Sequence, residues 1–257
     1  MDQSPHTCYE QPLNERTRTF LRLEHLFAQM VHHEADASKW GRRAAVAALL
    51  DILTVLSRHD LRTEVGKELA EQHNTLSRLQ NHSGVDHERL DRILSDLAAL
   101  GREIQNIPPQ FASYTIRDNE LLNSINNRSA IPGGTCGFDL PGYQYWLSRP
   151  AEHQAEQLDV WGRQLKPFRQ AISLILRLVR DSADAREYTA EGGVLVHNTD
   201  SDAQLIRVFV PAAEAVYPEI SAGRHRSTVR FMEQSGSELR ARQTERDIVF
   251  RMACCHL

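Results

Sequence analysis

The sequence predicts an α+β protein. A mostly helical domain covers residues 14–183, and a smaller antiparallel β domain covers residues 184–257, completed by an N-terminal strand at about residues 6–12. Three observations carry this expectation. Apolar residues recur at helical spacing up to about Ala183. Beyond it come short β-branched or aromatic runs separated by Gly, Pro, Ser and Asn, spaced as hairpins rather than as βαβ units. Charge is also uneven. Ser221 to Leu257 carries seven Arg against four acids, a net of +3, which leaves −7 for the rest of a chain whose total is −4. An acidic body with a basic end suggests a localised anion-binding surface.

The N-terminal run His6 to Leu13, broken by Pro12 and Asn14, reads as an edge strand. From about Asn14 a helix carries Phe20, Leu23, Phe27 and Met30 on one stripe, with Arg18, Arg22 and His25 turned away from it. A second helix, from about Ser38 to Ser57, is apolar nearly all round and is expected at the centre of the fold, with Arg58 following its last turn. Asp60 can cap a third, carrying Val65, Leu69, Leu76 and Leu79. Asp86 can cap a fourth, carrying Leu90, Ile93, Leu94, Leu97 and Leu100, and the two form a helical hairpin. After Pro108-Pro109 a shorter helix is expected from Arg117 to about Asn127. The segment Ile131–Gly142, with two Pro and four Gly, cannot be regular helix. A helical turn at Tyr143–Leu147 and helices over about Glu152–Leu165 and Pro167–Asp181 complete the helical part.

Four strand-like runs follow: Val194–Val196, Leu205–Val210, Thr228–Met232 and Ile248–Met252. In the third, a period of two sets Arg226, Thr228 and Arg230 on one face and turns Val229 and Phe231 into a core. Such a row is an anion-recognition surface if it stays open. From the residues alone it reads equally well as a solvated strand face, with ion pairs worth about 0–1 kcal/mol each.

Other chemistry finds little support. No run reaches the ~18–20 consecutive apolar residues of a membrane span, and the N-terminus lacks a signal peptide's basic and apolar regions, so a cytoplasmic protein is expected. Cys8 and Cys136 stand alone and Cys254-Cys255 are adjacent, a spacing that suits neither zinc nor disulfides. Pro132-Gly133-Gly134 lacks the Gly-Lys-Ser/Thr of a phosphate loop. There is no nucleophile elbow and no His-Glu-x-x-His, and His197, Asp200 and Asp202 occupy a loop where such residues usually form turns. No metal, cofactor or catalytic activity is expected.

Several stretches together resemble one family. They are Tyr9-Glu-Gln-Pro-Leu-Asn-Glu15, Arg18-Thr-Phe-Leu-Arg-Leu-Glu24, Arg62-Thr-Glu-Val-Gly-Lys-Glu-Leu69, Ile131-Pro-Gly-Gly-Thr-Cys-Gly-Phe-Asp-Leu-Pro141, Trp146-Leu147, Tyr217-Pro-Glu-Ile-Ser221, Val229-Arg-Phe-Met232 and Ala253-Cys-Cys255. Running in order from residue 9 to residue 255, they resemble the ZapD family of bacterial cell-division factors. The resemblance implies a non-enzymatic homodimer that binds the C-terminal tail of FtsZ and bundles its protofilaments at the division site, promoting Z-ring assembly. It also implies that Arg58, Arg226 and Arg230 belong to a basic tail-binding pocket and that Arg22 shares the contact. The alternative is a nucleic-acid-binding protein using the same basic face. The acidic body and the lack of aromatics among the arginines speak against it, so neither nucleic acid nor membrane is expected as a partner.

Overall fold

The computed structural model describes residues 5–58, 61–223, 225–234 and 240–257, with the side chain of Arg58 outside the description. The expected cap at Asp60 lies outside the described residues, as do Arg224 and residues 235–239. The chain is α+β, as the sequence predicts, and divides into two compact units: residues 20–175, and residues 1–19 with 176–257.

The helical unit follows from its apolar periodicity. Helix α1 (Glu15–Glu34) buries the stripe Phe20, Leu23, Phe27 and Met30. Its start is fixed by Asn14, whose side chain accepts the Thr17 N–H at 2.7 Å. Helix α2 (Lys39–Arg58) starts under a similar bond from the Gly41 N–H to Ser38. It packs on α3 (Leu61–Ser77), α5 (Phe111–Arg117) and α8 (Ala151–Gly162). The reading of α2 as apolar nearly all round holds for most of its surface, with one exception. Trp40, Ala47 and Asp51 are exposed at a spacing of seven and four, so a wet stripe runs along the helix. Asp51 sits on that stripe, and partial burial alone nudges its carboxyl upward.

Helices α3 and α4 (His87–Asn106) form the expected hairpin, and Asp86 caps α4 by accepting the Arg89 N–H. Leu79 lies beyond the end of α3 in a short 3₁₀ turn and is exposed. The hairpin also buries a polar pair unseen in the sequence: Gln72 donates to Glu68 at 3.0 Å. The helix expected over 117–127 is α6 (Glu120–Arg128), which starts three residues later than expected and is preceded by α5, a helix absent from the expectation. They break at Asn119, which caps α6 by accepting the Leu122 N–H, while Phe111 anchors α5 by stacking on Phe168 at 5.4 Å. The remaining helices are α7 (Pro141–Trp146) and α9 (Lys166–Asp181), the latter burying Ile172, Ile175, Leu176 and Val179.

The β unit is a sandwich of two antiparallel sheets. One has the order β1-β4-β8-β2, from β1 (His6–Pro12), β4 (Leu205–Pro211), β8 (Ile248–Cys255) and β2 (Arg186–Ala190). The other has the order β3-β6-β5, from β3 (Val194–Asn198), β6 (Arg226–Glu233) and β5 (Val216–Ala222), with β7 (Arg242–Gln243) pairing the end of β6. The N-terminal strand pairs β4 over its whole length, as expected. The expectation lacks β2, β5 and the two-residue β7. Pro218 masks β5 as a strand, yet the structure tolerates it because β5 is an edge of its sheet. In β2, Arg186, Glu187 and Thr189 are polar and exposed, leaving only Tyr188 and Ala190 to signal burial.

The two sheets share one core of Val229, Phe231, Ile248, Phe250 and Met252 with neighbours from β2, β4 and β5. The Phe231 and Phe250 rings meet edge-on at 4.9 Å across it. On the first sheet's other face, Glu10 is held by Arg180 of α9 through two bonds of 2.9 and 2.8 Å and by Arg207 at 3.0 Å. A carboxylate between two guanidinium groups ties β1, β4 and the last turns of α9 together.

The hairpin joining β2 to β3 turns on Gly192 and Gly193, both with positive φ. A Cβ at Gly193 would stand 2.4 Å from the Thr244 carbonyl oxygen. Gly193→Ala is therefore expected to destabilise the β unit by roughly 1–3 kcal/mol, read as a lower midpoint in chemical denaturation.

Candidate functional site

The strand alternation predicted for β6 is the one observed. Val229 and Phe231 are fully buried, Arg226 and Arg230 are exposed, and Thr228 between them is half-buried. With a rise of about 3.3 Å per residue, the two arginine α-carbons stand roughly 13 Å apart along the strand. Register supplies the rest of the face. On β3, Asn198 lies across from Arg226, Val196 from Thr228 and Val194 from Arg230. On β5, Ser221 lies across from Thr228, Glu219 from Arg230 and Tyr217 from Met232. Val196 is 45% exposed, so the arginines flank an apolar strip rather than a wholly polar surface.

This surface can do two things chemically. Guanidinium forks grip carboxylates bidentately, with charge-assisted bonds about twice as strong as neutral ones. The strip of Val194, Val196 and Met232 can take apolar side chains of the same ligand. The arginines and the strand at Val194–Val196 are legible in the sequence, but the strip they form together is not. Pairing register was the missing information.

The four predicted site residues divide between the units. Arg226 and Arg230 share one sheet face in the β unit. Arg22 and Arg58 belong to the helical unit, where Arg22 is exposed on α1 and Arg58 is the last residue of α2. Among the other arginines of the basic end, Arg246 pairs with Glu214 at 3.5 Å and Arg251 donates to the Ala185 carbonyl.

The Gly-rich loop is occupied with its own structure. The N–H groups of Gly134, Cys136 and Leu140 donate to Ile131, Gly133 and Cys136 carbonyls, and a Cβ at Gly134 would stand 2.8 Å from the Arg128 carbonyl oxygen. Arg128 pairs with Asp139 at 2.6 Å, and Arg43 donates to the Thr135 carbonyl while its guanidinium lies 4.8 Å from the Tyr143 ring centre. Burial pushes the Tyr143 phenol up to about 12 despite Arg43, so the ring under that cation is neutral. Those amides are spent, which makes the segment a structural turn rather than a phosphate cradle. The His197 and Asp200 side chains do not converge either. His197 packs edge-on to Tyr188 at 5.5 Å, whereas Asp200 lies 4.0 Å from His256. Among the described residues, no group of three or more His, Cys, Asp or Glu is arranged to hold a metal ion. None of the described helices is long and apolar enough to cross a membrane.

A family profile described as ZapD, cell division protein, matches residues 21–230. Similar over nearly their whole lengths are three proteins named cell division protein ZapD. The one from Methylococcus capsulatus is 40% identical, over 97% of this chain and 98% of the relative. That from Dechloromonas aromatica is 36% identical, over 97% and 99%. The one from Aromatoleum aromaticum is 35% identical, over the full length of both. The chain therefore belongs to the ZapD family of cell division proteins.

Proposed function

We propose that this protein binds the C-terminal tail of FtsZ and, as a cytoplasmic homodimer, cross-links FtsZ protofilaments at the division site without catalysing a reaction. The observation that carries this reading is the row of exposed Arg226 and Arg230 with half-buried Thr228 between them, beside the apolar strip of β3, in a chain of the ZapD family. An extended tail bearing acidic residues or a terminal carboxylate is met by the arginines, and its apolar residues rest on Val194 and Val196. One such contact is weak, but a dimer offers two. Bivalent engagement along a polymer raises avidity by about 10²–10⁴, which accounts for bundling with no catalytic group.

Arg22 and Arg58 enter the proposal as further tail contacts. Each of Arg22→Ala and Arg58→Ala is expected to weaken co-sedimentation with FtsZ polymers by roughly fivefold, the equivalent of about 1 kcal/mol. Because the contact is ionic and exposed, binding also falls as salt rises from 50 to 300 mM, values spanning a Debye length of about 10 Å. Co-sedimentation across that range is the test, and salt-independent binding contradicts an arginine-based site. Binding of duplex or single-stranded DNA at physiological salt, at the affinity seen for the tail, would favour the nucleic-acid reading instead.

A further inference from the structure

The pairing register makes the two exposed arginines unequal. Arg230 stands across from Glu219 of β5 on one side and Val194 of β3 on the other. Arg226 stands across from the neutral Asn198 of β3. On its β5 side it meets the backbone of Gly223, whose N–H donates to the Arg226 carbonyl at 2.8 Å. Directly opposed residues on one sheet face hold their β-carbons about 4.5–5.5 Å apart, so the Glu219 side chain and the Arg230 guanidinium share one patch. Both are exposed. An anionic group approaching Arg230 therefore meets a like charge at close range, whereas one approaching Arg226 meets an amide.

We propose that Glu219 tunes this face: it opposes acidic ligands at Arg230, so that Arg226 is the principal anion anchor and Arg230 a deliberately weakened one. The inference rests on reading the face as the acidic-ligand site, and it concerns which residue sets affinity there. Neutralising one exposed like charge changes binding by about two- to fivefold. Glu219→Gln is accordingly expected to tighten binding by that factor, whereas Arg226→Gln costs more than Arg230→Gln in the native background. In the Glu219→Gln background, Arg230→Gln costs more than before, because the two side chains are coupled.

The experiment titrates the full-length protein and these variants with two probes, an oligoglutamate peptide and a synthetic FtsZ C-terminal tail, following fluorescence anisotropy at constant salt. Circular dichroism checks that each variant keeps its fold. A gain in Glu219→Gln that disappears in Glu219→Gln with Arg230→Gln supports the proposal. Unchanged affinity for oligoglutamate in Glu219→Gln, or a gain that survives loss of Arg230, overturns it. Failure of the tail to bind the unsubstituted protein, with the oligoglutamate results as expected, removes FtsZ as the partner while leaving the role of Glu219 standing.

Discussion

Reversing both exposed charges of β6, with Arg226→Glu and Arg230→Glu together, is expected to abolish co-sedimentation with FtsZ polymers while the protein stays folded. The fold should survive because both side chains point into solvent and only their backbones serve the sheet. Surface substitutions of this kind usually change stability by no more than about 0.5 kcal/mol. Binding suffers far more. A hydrogen bond to a charged group contributes about 1.5–3 kcal/mol, and losing two lowers affinity by roughly 10²-fold or more. Repulsion between the new glutamates and an acidic tail adds to the loss. Bundling should vanish before single-site binding does, since avidity multiplies the loss at each of two sites. Unaltered bundling by a well-folded double variant would remove this face from the account.

The second large effect falls on the opposite side of the same strand. Phe231 has no exposed surface and meets Phe250 edge-on at 4.9 Å between the two sheets. Phe231→Ala removes the ring from a core that cannot close around the gap, because its neighbours are held by strand pairing on both sheets. The expected cost is about 3–5 kcal/mol, a large share of the ~5–15 kcal/mol that holds an ordinary domain together. Thr228→Ala, three residues earlier and on the outer face, should cost about 0.5 kcal/mol or less. Urea denaturation of the two variants tests the assignment of faces, and comparable losses from both would mean that β6 is wrongly oriented.

How far the sequence could be read is clearest at β6 itself. Its alternation of charged and apolar residues is a local property, so Arg226, Arg230 and the buried Phe231 were all legible in advance. The stripe of Phe20, Leu23, Phe27 and Met30 was legible for the same reason, since one period fixes one face. What stayed hidden depends on partners. Glu219 and Val196 become neighbours of the arginines only through strand pairing, and register is written in no single strand. Pro218 hid β5 because a proline argues against a central strand, and nothing local says that β5 is an edge. The buried pair Glu68 and Gln72 also escaped, as polar residues on an amphipathic helix normally mark its wet side. In the site, therefore, the charges were readable and their surroundings were not.

The central claim is that this ZapD-family protein grips FtsZ by its C-terminal tail. Co-sedimentation with polymers of full-length FtsZ and of FtsZ lacking that tail tests it most directly. The account predicts that the protein pellets with, and bundles, the full-length polymers and stays in the supernatant with the tail-less ones. Equal pelleting with both would contradict it.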